Sequence, residues 1–235
     1  MKGFLLTTCL CLMMLMSGCG GDGGTVVNAP TPMGTAVSLA KFRGYFMGYT
    51  TAGHPPMSFN LTGADTQGVS WSGTYTLAAD GPSTMFENQT VSVSSVTMTA
   101  NTPVSNISNI KYFLAANGNL YKITNPLGTL SYVPSTSTMF PSLTNVGDHG
   151  SLASLAGSDG STVTITWELS PEFNGNSLLK ILTVTTNSFN AITTNEVDTF
   201  YLDRGGNPYK LALSFTYGIA PSTSGITVTM VGKKN

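Results

Sequence analysis

The sequence predicts an all-β protein, an antiparallel up-and-down barrel or sandwich of about a dozen strands. Three observations carry this. Apolar residues recur at every second position through most of the chain. Gly- and Asn-bearing turn pairs separate these runs at the 8–12-residue spacing of sandwiches and barrels. Charged residues make up only 9%, against about 25% in a typical protein. The polar surface therefore falls to Ser, Thr and Asn, which disfavour helix interiors.

Taken in order, the strands show their inner faces plainly. Met57, Phe59 and Leu61 share one face, and Val69, Trp71, Gly73, Tyr75 and Leu77 share the next. Val163, Ile165, Trp167 and Leu169 repeat the pattern, and Tyr209, Leu211, Leu213, Phe215 and Tyr217 give its longest run. Ile226, Val228 and Met230 close the chain. Asp80-Gly81, Asn117-Gly118, Asp159-Gly160, Asn174-Gly175 and Gly205-Gly206 have hairpin-turn chemistry, with residues that tolerate φ > 0. From Gly147 onward the rhythm is steady enough for a meander. No window keeps apolar residues at helical spacing between caps, so no helix is expected. Ser and Thr opposite the apolar positions suit an outer face in contact with water.

The first thirty-seven residues obey different rules. Lys2 precedes an apolar run from Phe4 to Met16, too short for a spanning helix, which needs about 20 residues. Small residues follow, Ser17 and Gly18, and then Cys19. A basic start, a short apolar middle and a small-residue end form a secretory signal. Met16-Ser17-Gly18-Cys19 resembles the lipobox of bacterial lipoproteins, with Met16 where that family usually has Leu. The resemblance implies cleavage between Gly18 and Cys19 and a diacylglycerol on the Cys19 thiol. Gly20, where this family places Asp to retain a protein at the inner membrane, points to the outer membrane. The expected division is a signal over 1–18, a lipidated cysteine and Gly- and Pro-bearing tether over 19–37, and a β-rich domain over 38–235. Cys9 and Cys11 fall in the signal, so the domain has no disulfide and depends on its core.

The domain also resembles itself. "YFLAANGNLYK" (112–122) aligns without gaps with "FYLDRGGNPYK" (200–210). Trp71 and Trp167 sit in similar strands after Asp65 and Asp159. Two related halves, about 38–135 and 136–235, would explain this, as would two independent hairpins with the same turn chemistry.

Candidate chemistry is sparse. His54 and His149 lie in Gly- and Pro-bearing loops. A Ser–His–Asp site would need His149 with Asp148 or Asp159 and Ser151 or Ser161, but the chain has no Gly-x-Ser-x-Gly elbow. No His or Cys spacing suits zinc. Asp65 and Asp159 read as turn caps rather than calcium ligands. Among Glu168, Glu172, Glu196, Asp198 and Asp203, the closest pair is Glu196 and Asp198, two residues apart on one strand face and expected to meet solvent. No cofactor is expected, and without a basic stripe no nucleic-acid partner. The expected protein is a non-catalytic binding or structural module, held to the membrane by lipid, with a protein or glycan partner. Trp71 and Trp167 are its candidate contact residues. The alternatives are a barrel that carries an apolar ligand, or a hydrolase.

Overall fold

A computed structural model describes residues 29–46, 56–79, 84–100, 106–115, 119–124, 131–138, 140–220 and 223–235. The elements are β1 (Ala36–Ser38), α1 (Ala40–Phe46), β2 (Met57–Asp65), β3 (Ser70–Ala79), β4 (Thr84–Phe86), β5 (Gln89–Ala100), β6 (Asn106–Ala115) and β7 (Leu120–Thr124). Then come β8 (Ser131–Ser137), β9 (Leu143–Asn145), β10 (His149–Gly157), β11 (Thr162–Pro171), β12 (Ser177–Thr186), β13 (Ile192–Leu202), β14 (Pro208–Ala220) and β15 (Thr223–Lys234).

Every described strand pairing is antiparallel. The main sheet runs β3-β2-β15-β14-β13-β12-β11-β10-β8-β7-β6-β5, and β3 also pairs with β5. That last pairing, from Gly73↔Ala100 to Ala79↔Ser94, joins the two ends of the order. Twelve strands thus have a neighbour on each side, in an up-and-down circuit with the last strand beside the first. β4 is an appendage, folded onto β5 by a turn at Glu87 and Asn88, whose φ values of 48° and 63° are those of a tight hairpin. β1 and β9 form a separate two-stranded ribbon. The seam between β15 and β2 is tight. A Cβ on Gly63 would collide with the Thr229 carbonyl, and one on Gly232 with that of Asn60.

The alternation read from the sequence supplies the core. Met57, Phe59, Leu61, Trp71, Tyr75, Leu77, Ile165, Leu169, Leu211, Leu213, Val228 and Met230 are all buried in one cluster. Phe200 of β13 is its hub, with ring centroids 4.7 Å from Phe42, 6.0 Å from Phe59 and 6.2 Å from Tyr75. Around Phe200, side chains from opposite walls therefore meet and fill the described interior. On the outer wall of β5 and β6, Val91, Val93 and Phe113 form a small second cluster.

Two expectations need correction. A helix exists: α1 is seven residues long, too short to display a period, and it is held by the burial of Phe42 against Phe140 and Phe200. Residues 29–37, expected to belong to the tether over 19–37, instead lie with Ser38 on one end of the barrel. There Thr31 N–H donates to Glu172 O, Gly34 N–H donates to Val146 O, and β1 pairs with β9. Val37, buried in this segment, is an apolar contact that composition does not weigh.

The two similar stretches occupy equivalent places. Phe113↔Lys122 and Leu114↔Leu120 in β6–β7 match Tyr201↔Lys210 and Leu202↔Pro208 in β13–β14, with the register shift at the same step. The two hairpins stand six strands apart in the twelve-strand circuit, as do β3 with Trp71 and β11 with Trp167.

Candidate functional site

Gly18, Cys19 and His54 lie outside the described residues. His149 is exposed at the start of β10. Asp148 does not orient it: its Oδ2 accepts from Thr144 Oγ1 at 2.9 Å and from the Asn145 backbone N–H at 2.8 Å. Those hydrogen bonds hold the carboxyl below its ordinary range. Asp159 accepts from the backbone N–H and the hydroxyl of Ser161. Both aspartates fasten turns, so no described Ser–His–Asp array forms. Asp65 is also a turn cap, accepting from Gln67 and Val69 N–H at 2.9 Å each. Among the described residues no group of three or more His, Cys, Asp and Glu is arranged to hold a metal.

The two tryptophans part company. Trp71 is buried, its indole edge-on to Phe215 at 5.8 Å and its Nε1–H donating to Asp65 Oδ2 at 3.1 Å. Trp167 is half-buried and lines an open groove of about 900 Å³ with Met33, Gly150, Lys180, Leu182 and Val197. Gly150, opposite Trp167 in the register, makes room for the indole, which lies across it; a Cβ there would come within 2.8 Å of Nε1.

The pair Glu196 and Asp198 is the clearest surprise. It points into the barrel, not to solvent. β13 places Glu196, Asp198, Phe200 and Leu202 on one face, and the last two are fully buried. Taking Val197 and Tyr201 as the inward set puts the strand one residue out of phase, which exchanges its two faces. Phe200 and Leu202 carried the correct phase.

Tyr75 O–H donates to Asp198 Oδ2 at 3.0 Å, while Asp198 Oδ1 has no hydrogen-bond partner among the described residues. The two carboxyl groups, Tyr75, Tyr112, Thr183, Ile110, Ile165 and Ile181 enclose a void of about 40 Å³. Burial lifts Asp198 well above the usual carboxylate range, and the Glu196 charge adds to the lift; the Tyr75 bond opposes it. Burial raises Glu196 as well. Both tyrosines are raised, first by burial and then by these carboxylates. One neutral acid beside one carboxylate is the arrangement two such neighbours favour. A second void, about 20 Å³, lies between Tyr112, Leu120, Leu152 and Ile165.

No protein family, curated protein or solved structure matches this chain.

Proposed function

We propose that the chain is a bacterial outer-membrane lipoprotein, fixed by lipid on Cys19, whose barrel is a non-catalytic binding or structural module. The observation that carries this reading is Met16-Ser17-Gly18-Cys19 directly after a short apolar run. The architecture supports its second half. A small-molecule carrier needs a cavity of roughly 300–1,000 Å³, and the voids of about 40 and 20 Å³ lined by described residues of the barrel interior have room for one water each. The histidine and aspartates that a hydrolase would require serve loops and turns. Partner contact then falls to the outside, where hydroxyl and amide side chains face one another across strands: Ser58 with Thr76 at 3.1 Å, Thr74 donating to Asn60 Oδ1 at 3.3 Å, and Thr216 with Thr227 at 2.8 Å. Such a wall suits a hydrogen-bonding partner, protein or glycan, and the groove beside Trp167 is its concave part.

Mass spectrometry of the membrane-extracted protein tests the anchor. The expected mature chain begins at Cys19 and carries the mass of a diacylglycerol there. Cys19→Ala should leave a protein that no longer fractionates with membranes. A mature chain with a bare Cys19 thiol would overturn the reading.

A further inference from the structure

The end of the barrel where the chain arrives differs from the opposite end. Asn174 N–H donates to Ala29 O, so residue 29 sits on the turn between β11 and β12. Residues 29–38 then cross this end past the β9–β10 turn and reach the β13–β14 turn, where Ser38 touches Gly206. Three large apolar side chains stand out from it: Met33, 67% exposed, Leu143, 65%, and Phe173, 49%. Exposed cations share the same end: Lys41 on α1, Arg204 in the β13–β14 turn, and Lys233 and Lys234 at the close of β15. Lys210 lies opposite Lys233 in the register. The described carboxylates here are engaged nearby, Asp148 and Asp203 in their own turns, Glu172 with Tyr209, and Glu87 with Lys122 and Tyr121. The opposite end also exposes apolar groups, Phe189 and Val69. Its described turns, however, carry Asp65 and Asp159 and no Lys or Arg.

We propose that this basic, apolar-studded end is a membrane-contact surface that seats the barrel on anionic phospholipid headgroups. The proposal rests on the lipid-anchor reading above. Nine residues lie between Cys19 and Ala29, a contour from one to the other of at most about 35 Å. A lipid on Cys19 therefore keeps this end within reach of the bilayer. Apolar side chains enter the headgroup boundary, and lysines beside them meet the phosphates. One acyl-bearing residue plus a basic patch is the two-signal arrangement that makes membrane attachment durable.

The surface can be tested without the anchor. Residues 19–235 bearing Cys19→Ser are sedimented with vesicles of phosphatidylcholine alone or mixed with phosphatidylglycerol. Expected is capture by the phosphatidylglycerol vesicles at low ionic strength, release at high salt, and loss of about tenfold or more in affinity for Lys233→Glu/Lys234→Glu. Phe173→Ser should weaken capture too, and Phe189→Ser at the far end should not. Each variant is checked by its thermal midpoint for intact folding. No capture, equal capture by both vesicle types, or loss only with Phe189→Ser would overturn the surface and leave the anchor standing. Capture alongside an unlipidated wild-type Cys19 would overturn the anchor alone.

Discussion

Tyr75 of β3 and Asp198 of β13 are joined across the barrel interior, hydroxyl to Oδ2, at 3.0 Å. The two strands stand four apart in the twelve-strand circuit, so this bond ties one wall to another. It is also half of an incomplete arrangement, because Asp198 Oδ1 is buried without a hydrogen-bond partner among the described residues and Glu196 stands two residues away on the same face. An ionised Asp198 would be costly there, since a buried charge is tolerated only when paired.

The protein should therefore be more stable on the acid side of neutrality. Asp198 and Glu196 are raised in the folded state, so the folded chain holds more protons than the unfolded one above pH ~4. Their contribution is whole below that pH and is lost as pH climbs through the folded values. Asp65, Asp148, Asp159 and Asp203 run the other way: held low by their turns, they withdraw stability only as pH falls below the ordinary aspartate range. The groups facing Asp198 from other strands are Tyr75 and Tyr112, neutral throughout this range. Thermal melts should give a higher midpoint near pH ~5 than near pH ~8. Asp198→Asn, which keeps an acceptor for Tyr75 and cannot ionise, should flatten that slope and melt above the wild type at the higher pH. Parallel slopes for the two proteins would show that Asp198 does not hold the proton.

Tyr75→Phe isolates the hydroxyl. The ring remains edge-on to Phe59 and Phe200, with centroids 6.4 and 6.2 Å away, so packing is kept and one donor is removed. A buried acceptor left without its donor costs about 1–3 kcal/mol. Because the Tyr75 bond favours the charged form of Asp198, its loss should weigh more at alkaline than at acid pH. Urea unfolding at the two pH values measures both the size and the trend; a pH-independent loss would assign the effect to packing.

Most of the wall could be read from the chain, and the contents of the interior only in part. Leu211-Leu213-Phe215 and Val163-Ile165-Trp167-Leu169 declare their inward faces because their large apolar residues keep one phase, whereas Tyr209, read in the same run, is exposed beyond the register shift that pairs Leu202 with Pro208. β13 carries apolar residues in both phases, Val197 and Tyr201 in one and Phe200 and Leu202 in the other, and the acids then seemed to belong outside. What decided the matter is tertiary: Tyr75, arriving from β3, offers a hydroxyl to a carboxyl that would otherwise have none. The turn at Glu87-Asn88 also escaped notice, since neither residue announces positive φ as Asn-Gly does. The shared register of β6–β7 and β13–β14, by contrast, follows from the residues already common to "YFLAANGNLYK" and "FYLDRGGNPYK".

The docking of residues 29–38 depends on one small residue. Gly206 has φ +74°, a conformation L side chains resist, and a Cβ there would run into the carbonyl of Ser38 at the end of β1. The turn around it cannot easily yield, because Asp203 Oδ1 accepts from Gly205 and Asn207 N–H at 2.8 Å each. Nor is β1 free to slide while Lys41 Nζ donates to Asn207 Oδ1 at 2.7 Å. Gly206→Ala should thus displace β1 rather than the turn, at a cost of about 1–3 kcal/mol. Hydrogen exchange should rise in β1 and β9, and protease should cut within residues 29–38, while β11 to β14 stay protected. Gly205→Ala is the control: its added methyl meets only the Asn207 side-chain amide at 3.0 Å and the Asp203 carboxylate at 3.3 Å, contacts that ease with a shift of a few tenths of an ångström and leave the turn's hydrogen bonds in place. Equal exchange in the two variants would mean that the N-terminal segment is held by β9 and the β11–β12 turn alone.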